Sequence, residues 1–132
     1  MNQRDTLLFS LVAANMAITT DQIFTKLFQG TNWQANGFVC RRISGAFNTA
    51  CLGGIYNAIS KPAGGILVAA AVSYANLTGA GKIVRIDAYY NAASFAALNG
   101  TDLQTAIPYL SLTTANGAAL TADWYIYGQV LD

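Results

Sequence analysis

Glycine and asparagine punctuate this chain so densely and regularly that short extended runs are what fit between them. Asn36-Gly37, Asn99-Gly100 and Asn116-Gly117 are turn dipeptides, because both residue types tolerate positive φ. Gly53-Gly54, Gly64-Gly65 and Gly79-Ala80-Gly81 add breaks or bulges. The runs between them have strand chemistry, at a spacing that suits a sandwich or barrel.

The clearest run is 83–90, where Val84, Ile86, Ala88 and Tyr90 alternate with Ile83, Arg85, Asp87 and Tyr89. Arg85 and Asp87 mark the second face as the wetter one and read as a surface ion pair. In 109–113, Leu110 and Leu112 point inward and Tyr109, Ser111 and Thr113 outward, with Pro108 at the start, where its missing N–H costs least. In 123–131, Trp124, Ile126 and Val130 oppose Asp123, Tyr125, Tyr127 and Gln129. These last two runs are placed to form a hairpin across 114–122. Upstream, 38–44 and 51–57 read as strands joined through Gly45-Ala46-Phe47-Asn48, 66–74 as a strand or buried segment, and 7–14 and 22–28 as two more strands. The Ala-rich 91–98 reads as a short helix or a loop. The expectation is an all-β fold: one antiparallel β-sandwich domain over 1–132, with about eight strands in two packed sheets, jelly-roll-like.

Composition leans the same way. Glu, a helix former, is absent and Lys is scarce, although abundant Ala argues in the other direction. Hydrophobic residues make up 54% and charged residues 10%, against about 25% charged in ordinary soluble domains. With a net charge of +1, the surface repels copies of itself weakly and suits an assembly better than a nucleic acid. The uncharged stretch 62–81 is long enough to raise the question of a membrane span, but Gly64, Gly65, Ser73, Asn76, Thr78, Gly79 and Gly81 make a poor lipid-facing list. The apolar 7–14 lacks the basic flank of a secretory signal. Cys40 and Cys51 form no disulfide framework. They read as buried, reduced thiols, with pairing left open should a hairpin set them opposite each other.

The chain has no histidine, which removes the usual general base, Ser-His and Cys-His nucleophiles and the commonest metal ligand. Its six acids, Asp5, Asp21, Asp87, Asp102, Asp123 and Asp132, read as solvated or turn-capping carboxylates rather than a catalytic pair. No EF-hand spacing is present, and Gly79-Ala80-Gly81-Lys82 lacks the rest of a phosphate loop. The expectation is a non-enzyme without catalytic residues, metal or cofactor. Binding candidates remain. Arg41-Arg42 is the only basic doublet, to be either solvated and stacked or an interface anchor. The polar stretch 29–37 presents Trp33 as a loop tryptophan, an anchor or a cover over one end of the sandwich. Tyr89 lies on the wetter face of its run.

Several strings resemble small virion proteins of tailed bacteriophages: Gly53-Gly54-Ile55-Tyr56 with Ser60-Lys61 and Gly64-Gly65, Leu67-Val68-Ala69-Ala70-Ala71, Tyr109-Leu110-Ser111-Leu112-Thr113-Thr114-Ala115, and Ala122-Asp123-Trp124-Tyr125-Ile126-Tyr127-Gly128. The family in question is that of capsid decoration, or cementing, proteins. The resemblance implies a jelly-roll domain on a capsid surface, assembled in the host cytoplasm, bound to the major capsid protein, and a homotrimer or other homo-oligomer. It carries over no binding residues. Two alternatives stand beside it: another virion β-domain of tail, head fibre or baseplate, and a carbohydrate- or receptor-binding module stacking sugars on Trp33, Tyr89, Tyr125 or Tyr127.

Overall fold

Apolar residues at every second position give each run one face to bury, and two such sheets stack to do so. The computed structural model describes residues 5–45, 51–68, 72–74, 77, 83–87 and 104–132, with Arg42, Ile43, Gly64, Arg85, Ile86 and Asp87 described by their backbone alone. Among these residues lie the strands β1 (Thr6–Asn15), β2 (Gln22–Ile23), β3 (Thr25–Lys26), β4 (Trp33–Gly45), β5 (Leu52–Tyr56), β6 (Ile66–Val68), β7 (Ile83–Asp87), β8 (Tyr109–Thr114) and β9 (Leu120–Val130). A 3-10 turn, Ala63–Gly65, leads into β6, and no α-helix is present among the described residues. One sheet has the order β3-β1-β9-β4-β7 and the other β2-β8-β5-β6, with neighbouring strands antiparallel. The expected all-β sandwich is thus the architecture found. Phe9, Phe38, Cys40, Trp124 and Ile126 from the first sheet meet Ile55, Leu67, Val68, Leu110 and Leu112 from the second in one buried core.

The run 22–26 switches sheets. Gln22 and Ile23 pair with β8, and Thr25 and Lys26 pair with β1. Phe24, buried at the crossing, donates its N–H to the Pro108 carbonyl (3.0 Å). Counting β2 and β3 as one strand, the first strand pairs with the last, the second with the next to last, β4 with β7 and β5 with β6.

Two of the sequence expectations need correction. The runs 109–113 and 123–131 form no hairpin: β8 and β9 lie in different sheets, because β9 is held on both sides by β1 and β4 over nearly its whole length. The strands expected over 38–44 and 51–57 are found as β4 and β5, one in each sheet. Asn36-Gly37 is not a turn. It lies inside β4, where Asn36 is an extra residue between the pairs Ala35–Gly128 and Gly37–Tyr127, a β-bulge. Its side-chain amide donates to Asp5 Oδ1 (2.7 Å). Opposite the bulge the strands close tightly: a Cβ on Gly128 would sit 1.9 Å from the Gln34 carbonyl oxygen, so only glycine fits. The run expected over 66–74 is seen as β6 plus 72–74, which continues alongside β5 through Gly53 N–H to Val72 O (3.1 Å) and Tyr74 N–H to Cys51 O (3.0 Å). Asn99-Gly100, Gly79 to Gly81, the 91–98 segment, Asp102 and Tyr89 lie outside the described residues.

Candidate interface surface

The two sheets turn very different faces outward. On the four-stranded sheet, Ser111 alternates with the core residues Leu110 and Leu112 and so points away from the core, yet it is fully buried. Its hydroxyl donates to Asp21 Oδ1 (2.7 Å), while Asp21 Oδ2 accepts the Ser60 N–H (2.8 Å) and Lys61 Nζ donates to the Thr19 carbonyl (2.9 Å). Two loops are thereby pinned over this face. Ser60 and Lys61 both have positive φ (68° and 52°), a left-handed pair that costs free energy for non-glycine residues and is held by these bonds. The Ser111 hydroxyl, the Ser60 amide and the Lys61 charge hold the Asp21 carboxyl below its ordinary range. Burial, with Asp21 nearby, pushes the Tyr56 hydroxyl up.

The five-stranded sheet has no such cover among the described residues. On its inner side Cys40 pairs with Trp124 and Phe38 with Ile126. The alternate positions therefore face outward: Val39 beside Tyr125, Gly37 beside Tyr127, and Arg41 between Asp123 and Ile83. Leu7 lies across from Tyr127 and Ser10 across from Tyr125 on the other flank of β9. Leu7, Val39, Tyr125 and Tyr127 are half-buried by their neighbours, whereas Val12 and Ile83 are 65% and 48% exposed. Polar residues close both ends, Gln34 with Gln129 at one and Ser44 with Thr121 at the other. The result is an apolar, tyrosine-bearing centre between uncharged polar ends, with Arg41 and Asp123 on the face and Arg85 and Asp87 at the ladder positions beside Val39 and Gly37. Arg41 is exposed. Asp123 is nearly buried and turned to structural use: Oδ1 accepts the Ala13 N–H (2.8 Å) at a bulge in β1 where Ala13 has φ of 55°, and Oδ2 accepts the Tyr125 hydroxyl (3.5 Å).

Of the residues singled out from sequence, Arg41, Tyr125 and Tyr127 belong to this face. Trp33 does not. It opens β4 instead of riding in a loop, is 1% exposed, meets Phe9 edge-on (centroids 4.8 Å apart) and donates Nε1–H to the Ala106 carbonyl (3.2 Å). Its backbone exchanges hydrogen bonds with Gln104 (3.0 and 2.8 Å). A side chain so enclosed anchors its own core and presents no surface to a partner or sugar. Arg42 follows Arg41 in the ladder with its backbone paired to Ala122. Sequence reasoning passed over Val12 and Val39 as surface residues, whereas Ile83, on the wetter face of its run, is exposed as expected. The signal for Val39 was its position between Phe38 and Cys40, both of which go inward.

Cys40 and Cys51 are buried and form no disulfide, and burial pushes both thiols up, Cys40 strongly. Among the described residues no group of His, Cys, Asp or Glu is placed to hold a metal ion, and no helix is long and apolar enough to cross a membrane. Comparison with protein-family models, with curated proteins and with solved structures finds no match.

Proposed function

We propose that this chain is a structural virion protein of jelly-roll topology that binds the outer surface of an assembled capsid, through the major capsid protein, and stabilises it without catalysis. The open face of the five-stranded sheet carries this reading. It has the apolar centre, aromatic content and polar rim of a protein–protein contact, in a chain with no histidine and few charges. Support for the topology comes from the nested pairing of first strand with last and innermost with innermost, the arrangement of two interlocked Greek keys. The resemblance of the strings within 53–128 to capsid decoration proteins points the same way.

Binding only to the assembled lattice stabilises it by mass action, and repeated weak contacts add through avidity. The test is heat-induced genome release from capsids with and without the protein, at low and high salt. A higher release temperature, little changed by salt, is the expected result. Equal release temperatures would sink the cementing role. They would favour the second reading, a glycan-binding surface, for which Tyr125 beside Asp123 is the motivating pair; against it, the Asp123 carboxylate is already engaged by Ala13 and Tyr125.

A further inference from the structure

On the reading of the open face as the capsid contact, we infer that Arg41 is its polar anchor and takes a carboxylate side chain of the partner protein. Among the residues whose side chains are described, the other charged groups are engaged. Asp5, Asp21, Asp123 and Asp132 accept hydrogen bonds, and Lys26 and Lys61 donate to the carbonyls of Gly30 and Thr19. Arg41 is exposed and has neither a hydrogen bond nor an ion pair among the described residues. Its ladder position makes this informative, because its cross-strand partner on β9 is Asp123. The Asp123 carboxylate is nearly buried and committed elsewhere: Oδ1 accepts the Ala13 N–H (2.8 Å) and Oδ2 the Tyr125 hydroxyl (3.5 Å). Turning it to Arg41 would strip the Ala13 amide of its acceptor at the bulge in β1.

Arg41 also lies within the face rather than at its margin. It sits between Asp123 and Ile83, one rung from Val39 and Tyr125, and Ser44 with Thr121 lies beyond it. Along β7, Arg85 and Asp87 hold the ladder positions beside Val39 and Gly37, so that strand brings one charge of each sign. Neither acid relieves Arg41, whose partner on β7 is the apolar Ile83. A protein that covers Val39 and Tyr125 therefore also takes the guanidinium out of water. A covered guanidinium without a counter-charge is costly. A carboxylate meets the need with two parallel N–H···O bonds to the planar fork, whereas a carbonyl brings no charge. A nucleic acid fits poorly, because phosphate backbones are held by several cations together. This chain has a net charge of +1, and Arg41 alone is free among its described charged side chains.

The experiment is equilibrium binding of the full chain to capsids by co-sedimentation, for wild type, Arg41→Gln, Arg41→Lys and Arg41→Glu. Ile59→Lys, 61% exposed in the 57–62 loop of the other sheet, is the control and should bind like wild type. The glutamine variant should bind roughly tenfold or more weakly and the glutamate variant more weakly still, while lysine should keep part of the affinity. Because Arg41 is exposed in the free chain, all three variants should fold, which thermal melts check. Capsids whose surface carboxyls are converted to neutral amides with a carbodiimide and glycinamide identify the partner group. That treatment should weaken the wild type and leave the glutamine variant little changed. A folded Arg41→Gln that binds like wild type, a control weakened as much as that variant, or amidation that affects both proteins equally would overturn the inference and leave the proposed function standing. Wild type that fails to bind untreated capsids would refute both.

Discussion

Replacing Trp124 with alanine tests the packing between the sheets at its centre. The indole is fully buried on β9, across from Cys40 of β4, and meets the Tyr74 ring edge-on with centroids 5.1 Å apart. Removing an aromatic side chain from such a site costs about 3–5 kcal/mol, of which the ring pair supplies roughly 0.5–1.5. That is a large share of the 5–15 kcal/mol that holds a typical domain together. Trp124→Phe should behave differently. Among the described residues the indole Nε1 is buried without a hydrogen-bond partner, and a buried orphan donor costs about 1–3 kcal/mol. Phenylalanine removes that donor while keeping most of the apolar contact, so a net loss under about 2 kcal/mol is expected. Urea denaturation followed by circular dichroism separates the two. At a slope near 2 kcal/mol per molar, the alanine variant should lower the midpoint by about 2 M and the phenylalanine variant by less than about 1 M. An alanine cost under about 1 kcal/mol would mean that the inner face of β9 is misassigned. Equal costs for both variants would refute the argument from the orphan N–H.

Asp21, held below its ordinary value of 3.8 by the Ser111 hydroxyl, the Ser60 amide and Lys61, stabilises the fold above the unfolded value. That contribution fades as pH falls through the lower folded value, so Asp21→Asn should flatten the acid limb of a stability-versus-pH curve measured by thermal melts. Cys40 and Cys51, buried with raised pKa, should react with a thiol reagent at mildly alkaline pH only when the chain is denatured, giving two free thiols without reductant. Fast reaction in the native state would contradict their burial. Ala13→Gly should stabilise the protein by up to about 1 kcal/mol in chemical denaturation, since glycine adopts the φ of 55° at this bulge without a Cβ penalty.

The faces of individual strands were legible because alternation is local. Leu110 and Leu112, and Trp124 and Ile126, go inward as their spacing predicts. Ser111 was not, since its burial comes from Asp21, 90 positions away in the chain. Trp33 was misplaced by a turn signal. Asn36-Gly37 has the chemistry of a hairpin, but β9 continues past it on the neighbouring strand, and the ladder absorbs the extra residue as a bulge. The absent hairpin between β8 and β9 has the same origin. Proximity in sequence favours a local pairing, yet β9 gains two long partners by joining the other sheet. The open face was half legible: Tyr125, Tyr127 and Arg41 stood out by type and Ile83 by alternation, while Val39 acquires meaning only from register.

How a chain with so few charges keeps an apolar face outward without losing its fold follows from where the charges go. Of 7 basic and 6 acidic residues, Asp5, Asp21, Lys26, Lys61, Asp123 and Asp132 are bound to irregular backbone or its side chains. Asp5 holds the Asn36 bulge and Asp123 the Ala13 bulge. Asp21 and Lys61 hold the 57–62 loop. Asp132 accepts the Thr31 N–H (2.9 Å) beside Gly30, whose φ of 117° and closeness to that carboxylate leave no room for a side chain, and Lys26 donates to the Gly30 carbonyl. Charges used in this way fix bulges and loop ends, where unpaired backbone groups would otherwise be exposed. A sandwich built so cannot rely on repulsion to keep copies apart, and the face left open among the described residues suits cover by contact rather than by charge.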